Sequence, residues 1–193
     1  MTEPTAAHVP LRYAHPLPHL TLVLGGARSG KSRYAEALIE GAAGDAVYLA
    51  TAEPGDSEMV ERIRHHRARR AAQSPTRWRT VEEPLALASS LAEMARPDRP
   101  ILVDCLTLWL SNLLLAGRDV AAETAGLLVA LPGLAGPVVL VANEVGLGIV
   151  PDNALAREFR DRAGILNQAV AAAADHVVLV AAGLPLVLKE PGH

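Results

Sequence analysis

A glycine-rich segment between an apolar run and a helix-forming stretch constrains the fold of this 193-residue chain most strongly. Residues 25–32 read Gly-Gly-Ala-Arg-Ser-Gly-Lys-Ser and fit the pattern G-x-x-x-x-G-K-[ST]. The apolar residues 20–24 favour a strand, and residues 33–39 favour a helix. A strand, a glycine loop and a helix in this order predict a phosphate-binding loop, in which backbone N–H groups and the positive end of the helix face the phosphates.

Two side chains of this loop have predicted roles of their own. Lys31 is expected to reach the outer phosphates of a nucleoside triphosphate, and Ser32 is expected to hold Mg²⁺. The predicted phosphate cradle consists of Gly25, Gly26, Ala27, Arg28, Ser29, Gly30, Lys31 and Ser32. The alternative is a glycine-rich turn beside a surface lysine. It is disfavoured because four fixed positions and the flanking elements agree.

The composition is typical of an α/β domain whose sheet is covered on both faces. Hydrophobic residues make up 50% of the chain and aromatic residues 3%, so Val, Leu, Ile and Ala must build the core. The formal net charge of −3 offers no general electrostatic attraction to nucleic acid. No apolar run is long enough to span a membrane, and we expect no secretory signal. With Cys105 as the single cysteine, we expect a cytoplasmic protein.

Apolar runs alternate with helical patterns along the chain, which predicts a mostly parallel sheet of the RecA-like P-loop type, flanked by helices. Further strands are expected at residues 46–50, 78–81, 101–104, 137–142 and 176–181, with a last strand at 186–189 that pairs as a C-terminal hairpin. Helices are expected at residues 56–70, 85–95 and 106–115, and after a possible cap at Asp152. The buried face of this last helix is expected to consist of Leu155, Phe159, Ala163, Leu166 and Val170, which repeat at intervals of three and four residues. Residues 1–18 are expected to be a disordered lead-in, and residues 19–190 a single nucleotide-binding domain.

Polar residues follow several of these predicted strands, where ligands of open α/β sheets bind. Asp104 ends the run 101–104, so a buried strand would deliver its carboxylate to the sheet edge beside the phosphate loop, where it would organise Mg²⁺. Glu144 follows another strand, and a role in the site and a plain turn are equally open for it. Thr51, Ala52 and Glu53 follow the strand at 46–50. Cys105 is interpreted as a buried packing thiol rather than a nucleophile.

The predicted helix at residues 56–70 carries the densest basic cluster of the chain. The cluster consists of Arg62, Arg64, His65, His66, Arg67, Arg69 and Arg70. Such a run is usually a solvated face. Here Arg70 lies four residues after His66 on the same helical face, and guanidinium groups bind phosphate well. A neutral imidazole beside them could attack an α-phosphate and form a phosphoramidate. Spacing alone leaves both interpretations open.

Longer stretches of the chain carry a resemblance that is more specific than the phosphate loop. The resemblance begins in the phosphate loop. It continues through Glu58-Met59, Arg62-Ile63, His66-Arg67 and Arg70, then through Trp78-Arg79-Thr80 with Glu82, and later through residues 143–146 and 148–151. It covers nearly everything from residue 20 to residue 189. At these positions the chain resembles the bifunctional adenosylcobinamide kinase / adenosylcobinamide-phosphate guanylyltransferase family of cobalamin synthesis.

The resemblance implies two reactions in one site region. A nucleoside triphosphate, ATP or GTP, phosphorylates adenosylcobinamide, and GTP then transfers GMP to that phosphate through a guanylylated histidine, with release of pyrophosphate. The position of this histidine matches His66. Lys31, Asp104 and Glu144 complete the predicted catalytic set, and Ser32 and Asp104 are the predicted Mg²⁺ ligands. Besides the phosphate loop, the implied nucleotide contacts are Thr51, Ala52, Glu53, Arg67, Ala68, Arg69, Arg70, Glu82 and Asp104. The resemblance also implies a homotrimer.

Two other functions remain open at this point. The first is a P-loop kinase that acts on another small alcohol, in which His66 is only structural. The second is a regulatory switch that binds GTP and a partner without net transfer. Phosphate incorporation into adenosylcobinamide would separate the bifunctional enzyme from the other kinase, and covalent labelling by GTP would separate it from the switch.

Overall fold

The computed structural model describes residues 16–40, 45–52 and 78–192. The strands in these segments are β1 (Leu20–Gly25), β2 (Ala46–Ala50), β3 (Trp78–Glu82), β4 (Ile101–Asp104), β5 (Val138–Asn143), β6 (His176–Ala181) and β7 (Leu184–Lys189). Within the described residues they form one seven-stranded sheet in the order β3-β2-β4-β5-β1-β6-β7. All neighbouring pairs are parallel except β6 and β7, which form a hairpin. The mostly parallel sheet and the C-terminal hairpin confirm the predicted architecture.

Helices flank both faces of this sheet. Those of the described segments are α1 (Lys31–Glu40), α2 (Leu87–Met94), α3 (Leu106–Leu115), α4 (Val120–Ala130) and α5 (Ala154–Ala173), with a 3₁₀ turn at Leu131–Gly133 after α4. Among the described residues, no helix combines the length and the apolarity that a membrane span requires.

The core is divided by the sheet into two clusters because side chains alternate between the two faces of a strand. In β1, Leu22 and Leu24 pack in the larger cluster with α2, α3, α4 and α5, whereas Val23 packs in the smaller cluster under α1. All six residues of β1 are buried. Each buried Leu or Val stabilises the fold by about 1.5–3 kcal/mol relative to an exposed one. This burial on both faces holds the carboxyl end of β1, and so the phosphate loop, in place.

The least patterned part of the sequence, residues 118–136, contains α4. The side chain of Asp119 caps this helix, since its Oδ1 accepts hydrogen bonds from the N–H groups of Ala121 and Ala122 at 3.0 and 3.1 Å. A carboxylate is favourable there because the first N–H groups of a helix have no partner within it. The Ala and Leu residues of α4 form no clear apolar stripe, so the sequence alone does not predict this helix.

Two details of the predicted α5 are wrong. The cap is Asn153 rather than Asp152, because Asn153 Oδ1 accepts a hydrogen bond from the N–H of Ala156 at 2.7 Å. Leu155, expected on the buried face, is 64% exposed, whereas Ala163, Leu166 and Val170 are buried. The apolar period is therefore right, but only the later turns of the helix pack against the sheet.

The last strand, β7, begins at Leu184, two positions before the expected residue 186, because the hairpin turn is short. This turn consists of Ala182 and Gly183, with φ angles of 51° and 81°. Positive φ at both central residues is typical of the two-residue turn that best matches the twist of a hairpin. The predicted helix at residues 56–70 and most of the predicted lead-in lie outside the described residues, and the division into a lead-in and one domain stays a prediction.

Candidate nucleotide-binding site

The connection from β1 to α1 has the geometry of an anion-binding loop. Gly25 ends β1, Lys31 begins α1, and Arg28 and Gly30 between them have φ angles of 56° and 97°. The Tyr34 N–H donates to the Gly30 carbonyl at 3.0 Å, which closes the first helical turn. The first N–H groups of a helix have no carbonyl partner within it, so this end of α1 offers donors and a positive dipole to a phosphate. Lys31 Nζ donates to the Gly26 carbonyl at 3.1 Å and thus bends over the loop.

The phosphate loop packs against β6 and against the β6–β7 hairpin turn, and both support it. The Gly183 N–H donates to the Ser29 carbonyl at 2.8 Å. A Cβ atom at Gly30 would lie 3.3 Å from Gly183 Cα, and a Cβ atom at Gly25 would lie 2.6 Å from the Val180 carbonyl oxygen. Glycine is therefore needed at residue 25 because a neighbouring strand occupies the space of a side chain. The last two strands hold the loop in a defined shape.

Gly25→Ala is expected to destabilise the protein by about 1–3 kcal/mol, because the added methyl group forces β1 away from the β6 backbone. The matched control is Gly26→Ala, since nothing lies within 4 Å of a Cβ atom at Gly26. Thermal unfolding measures the difference, with a fall in Tm of about 2–4 °C for each kcal/mol in a chain of this size. Equal Tm values for the two variants would contradict the close approach to Val180.

Glu144 lies next to the phosphate loop. Glu144 directly follows β5, which pairs with β1 so that Gly25 lies opposite Asn143. The Glu144 N–H donates to the Gly25 carbonyl at 3.1 Å, and Glu144 Oε1 accepts from the Gly146 N–H at 2.5 Å. The side chain is partly buried. A carboxylate thus lies at the sheet edge beside the predicted phosphates, while its part in catalysis stays a prediction.

Asp104 lies at the same edge, at the end of β4. Because β5 separates β4 from β1, the axes of β4 and β1 are about 10 Å apart, and the register places Asp104 level with Val23, two residues before Gly25. Asp104 Oδ2 accepts a hydrogen bond from the Tyr48 hydroxyl at 2.9 Å. The order of strands places β5, which leads into Glu144, between the strand that ends at Asp104 and the strand that leads into the phosphate loop.

The donors at this edge are suited to Mg²⁺. Ser32, in the first turn of α1, and Asp104 offer a hydroxyl and a carboxylate, and both residues are partly exposed. Among the described residues, no group of three or more His, Cys, Asp or Glu side chains could form a metal cage. Mg²⁺ needs no such cage, because proteins hold it through one or two oxygen ligands together with substrate phosphates and water.

Thr51 connects the ends of β2 and β4. It is fully buried, and its Oγ1 donates to the Cys105 carbonyl at 2.7 Å and accepts from the Cys105 N–H at 2.8 Å. Its N–H donates to the Asp104 carbonyl at 3.2 Å, and its carbonyl accepts from Asn112 Nδ2 at 2.7 Å. The hydroxyl, the N–H and the carbonyl of Thr51 all form hydrogen bonds within the protein. This favours a role for Thr51 in supporting Asp104 over the predicted direct contact with the nucleotide. Ala52, next to it, is partly exposed.

Of the other predicted nucleotide contacts, Glu82 lies far from the phosphate loop, and six residues lie outside the part of the chain that the structure describes. Glu82 is exposed at the end of the edge strand β3, four strands and about 19 Å from β1. Only a ligand that extends along the sheet edge would contact both Glu82 and the loop. The remaining predicted residues, Glu53, His66, Arg67, Ala68, Arg69 and Arg70, lie outside the described residues, and their roles stay predictions.

Cys105 has the surroundings of a packing thiol. Burial, and secondarily the negative charge of Asp104, raise its pKa to about 11. A thiolate is the nucleophilic form of cysteine, so this thiol is unreactive at neutral pH.

The sequence interpretation missed Tyr48, Asn112 and Gly183, which contact predicted site residues. No local pattern marks them, because each acts on a part of the chain distant in sequence.

The fold and the loop together define a class, the P-loop nucleotide-binding proteins. A solved ATPase from the type III secretion system of pathogenic bacteria superimposes with a TM-score of 0.53 over 84% of this chain and 51% of its own, at 14% sequence identity. At that identity the likeness shows the fold alone.

Sequence comparison identifies the family within that class. The chain is 51% identical over 173 residues to the bifunctional adenosylcobalamin biosynthesis protein CobP of Pseudomonas aeruginosa, covering 88% of this chain and 98% of the relative. It is 44% identical over 185 residues to the corresponding protein CobU of Salmonella typhimurium, covering 88% and 99%. Residues 21–188 match the family described as cobinamide kinase / cobinamide phosphate guanyltransferase, and the chain belongs to this family. The resemblance predicted from the sequence is confirmed.

Proposed function

We propose that this protein transfers the terminal phosphoryl group of ATP or GTP to the aminopropanol hydroxyl of adenosylcobinamide, and then transfers GMP from GTP to the resulting phosphate. The products of the second step are adenosylcobinamide-GDP and pyrophosphate. The observation that carries this proposal is the family match over residues 21–188, which includes the phosphate loop and the strand ends around it. Relatives at 51% and 44% identity are bifunctional adenosylcobalamin biosynthesis proteins by name.

In the kinase step, the loop at residues 25–32 would hold the triphosphate. Lys31 Nζ would exchange the Gly26 carbonyl for the transferred phosphoryl group, where its charge offsets the negative charge of the transition state. Ser32 and Asp104 would hold Mg²⁺, which neutralises charge on the phosphates. Glu144 would accept the proton of the attacking hydroxyl. The hydrogen bond from the Glu144 N–H to the Gly25 carbonyl keeps this residue beside the phosphate loop, which supports the role.

In the guanylyl step, the imidazole of His66 would attack the α-phosphorus of GTP. A P–N bond forms as the bond to the departing pyrophosphate breaks, and a phosphate oxygen of adenosylcobinamide phosphate then displaces the histidine. Arg67, Arg69 and Arg70 would offset the negative charge of the phosphates, since guanidinium groups bind phosphate in a bidentate manner. Ala68, Glu53, Ala52 and Glu82 would complete the contacts with the guanine nucleotide. These assignments rest on the resemblance of the segment around His66.

Incubation of the protein with adenosylcobinamide and nucleotides tests the proposal directly. With ATP alone, we expect adenosylcobinamide phosphate to accumulate, and with GTP present we expect conversion to adenosylcobinamide-GDP, both followed by chromatography and mass spectrometry. A corrinoid without the aminopropanol hydroxyl is the matched control and should remain unchanged. Transfer of phosphate to another alcohol but not to adenosylcobinamide would favour the other kinase. GTP binding without any transfer would favour the regulatory switch.

We also propose that the protein forms a homotrimer and works in the cytoplasm. The trimer rests on the family resemblance, and the compartment rests on the single cysteine, whose thiol needs no oxidising environment. Light scattering that returned the mass of one chain would contradict the trimer.

A further inference from the structure

Tyr48 is a buried tyrosine whose hydroxyl points at the predicted metal carboxylate. It lies in the middle of β2 and is only 7% exposed. Its hydroxyl donates a hydrogen bond to Asp104 Oδ2 at 2.9 Å, and the two residues are 56 positions apart in sequence. Nothing in the proposed reaction uses this tyrosine. A buried hydroxyl without a hydrogen bond is costly, so the bond to Asp104 stabilises Tyr48 in the core and at the same time constrains the carboxylate.

The ring of Tyr48 has little freedom to move. It belongs to the core cluster under α1, together with Ala50 and Leu102. The ring of Trp78 on β3 contacts it edge-on, with centroids 6.3 Å apart and planes at 79°. Packing on both sides of the ring therefore holds the hydroxyl in a fixed position, so that it can orient the Asp104 carboxylate to which it is hydrogen-bonded.

Strand pairing explains why the hydroxyl meets Asp104. Tyr48 lies opposite Leu102, and Ala50 lies opposite Asp104, so Tyr48 and Asp104 form a diagonal pair on one face of β2 and β4. The backbone of Asp104 is held separately, because its carbonyl accepts a hydrogen bond from the Thr51 N–H at 3.2 Å. Loss of the tyrosine hydroxyl would therefore release the carboxylate while the backbone stays in place.

We propose that Tyr48 is a positioning residue for Mg²⁺ binding: its hydroxyl holds Oδ2 of Asp104 and leaves Oδ1 as the oxygen that binds the metal of the bound nucleotide. The proposal rests on the proposed role of Asp104 as a Mg²⁺ ligand. A hydrogen bond to a charged carboxylate is among the stronger ones in proteins. Groups that orient metal ligands in this manner typically change metal affinity or activity by about 10–100-fold when they are removed.

Tyr48→Phe is the decisive variant, because it removes the hydroxyl and keeps the ring. GTP affinity is measured by calorimetry in EDTA and again at increasing Mg²⁺ concentrations. This measures metal binding independently of catalytic turnover. We expect the metal-free affinity to change less than about twofold, and the Mg²⁺ concentration that gives half of the Mg²⁺-dependent gain in affinity to rise about tenfold. A parallel rise in the Mg²⁺ concentration for half-maximal kinase rate should accompany it.

Tyr34→Phe is the matched control. Tyr34 is a second buried tyrosine of the same core cluster, on α1, and is 5% exposed. Its substitution is expected to leave the Mg²⁺ requirement unchanged. Thermal unfolding of each variant verifies that it folds, and Tyr48→Met, another apolar side chain without a hydroxyl, replaces Tyr48→Phe if the latter does not fold.

A double-mutant cycle with Asp104→Asn separates the possible outcomes. If the hydroxyl acts through the carboxylate, Tyr48→Phe adds no further change once Asp104 is replaced. A full additional effect in that background, or a normal Mg²⁺ requirement of Tyr48→Phe alone, would overturn the positioning role. If Asp104→Asn itself left the Mg²⁺ requirement unchanged, the assignment of Asp104 would fail instead, which distinguishes the two proposals.

Discussion

Lys31→Ala is expected to reduce phosphoryl transfer to adenosylcobinamide by about 10³-fold, the scale on which removal of one preorganised charge-stabilising group acts. Lys31 begins α1, and its ammonium group lies over the phosphate loop in contact with the Gly26 carbonyl. Alanine keeps the helix, because it is the best helix former, but removes the only charge that this position offers to the transferred phosphoryl group. The measurement is the initial rate of phosphate incorporation at saturating nucleotide.

Arg162→Ala is the control for the lost charge. Arg162 lies on α5 and pairs with Glu158 on the protein surface, with 2.9 Å between Nε and Oε1. A surface ion pair of this kind contributes little to stability. The variant changes the net charge by the same amount and should keep the wild-type rate. Comparable rates for Lys31→Ala and Arg162→Ala would show that the loop does not use its lysine in catalysis.

His66→Ala is expected to abolish covalent labelling by α-³²P-labelled GTP and the guanylyl step, while the kinase step remains largely intact. A phosphoramidate on histidine is labile to acid and stable to base, so a denaturing gel after each treatment identifies the attachment. His65→Ala is the matched control, since it removes the adjacent imidazole and should keep the label. Label that survived His66→Ala would end the assignment. Equal loss of the kinase step in Lys31→Ala and His66→Ala would contradict the separate roles of the two residues.

The local parts of the fold were predictable because they depend on short patterns. The phosphate loop is an example: Gly25, Gly30, Lys31 and the apolar residues before them specify a strand, a turn and a helix within about a dozen positions. The misplaced cap of α5 is of the same local kind. Asp152 and Asn153 are both good capping residues, and sequence alone does not say which one accepts the first helical N–H.

Contacts between distant residues were not predictable in this way. The order of the strands places β5 between β1 and β4, and only this order shows that the strand leading into Glu144 neighbours both the strand of the loop and the strand of Asp104. Hydrogen bonds from Tyr48 to Asp104 and from Asn112 to Thr51 depend on the same arrangement. In sequence, Tyr48 is one apolar residue of a strand and Asn112 one polar residue of a helix. Their partners become visible only when the strands are in register.

The support of the phosphate loop by the β6–β7 turn has a consequence for how the protein is made. Residues 25–32 leave the ribosome well before the Gly183 N–H that bonds Ser29 and the β6 backbone that packs on Gly25. While the intervening strands and helices are translated, a nascent chain therefore carries the whole phosphate-loop motif without the backbone that shapes it. Tight capture of nucleotide should begin only when the final hairpin has emerged and joined the sheet.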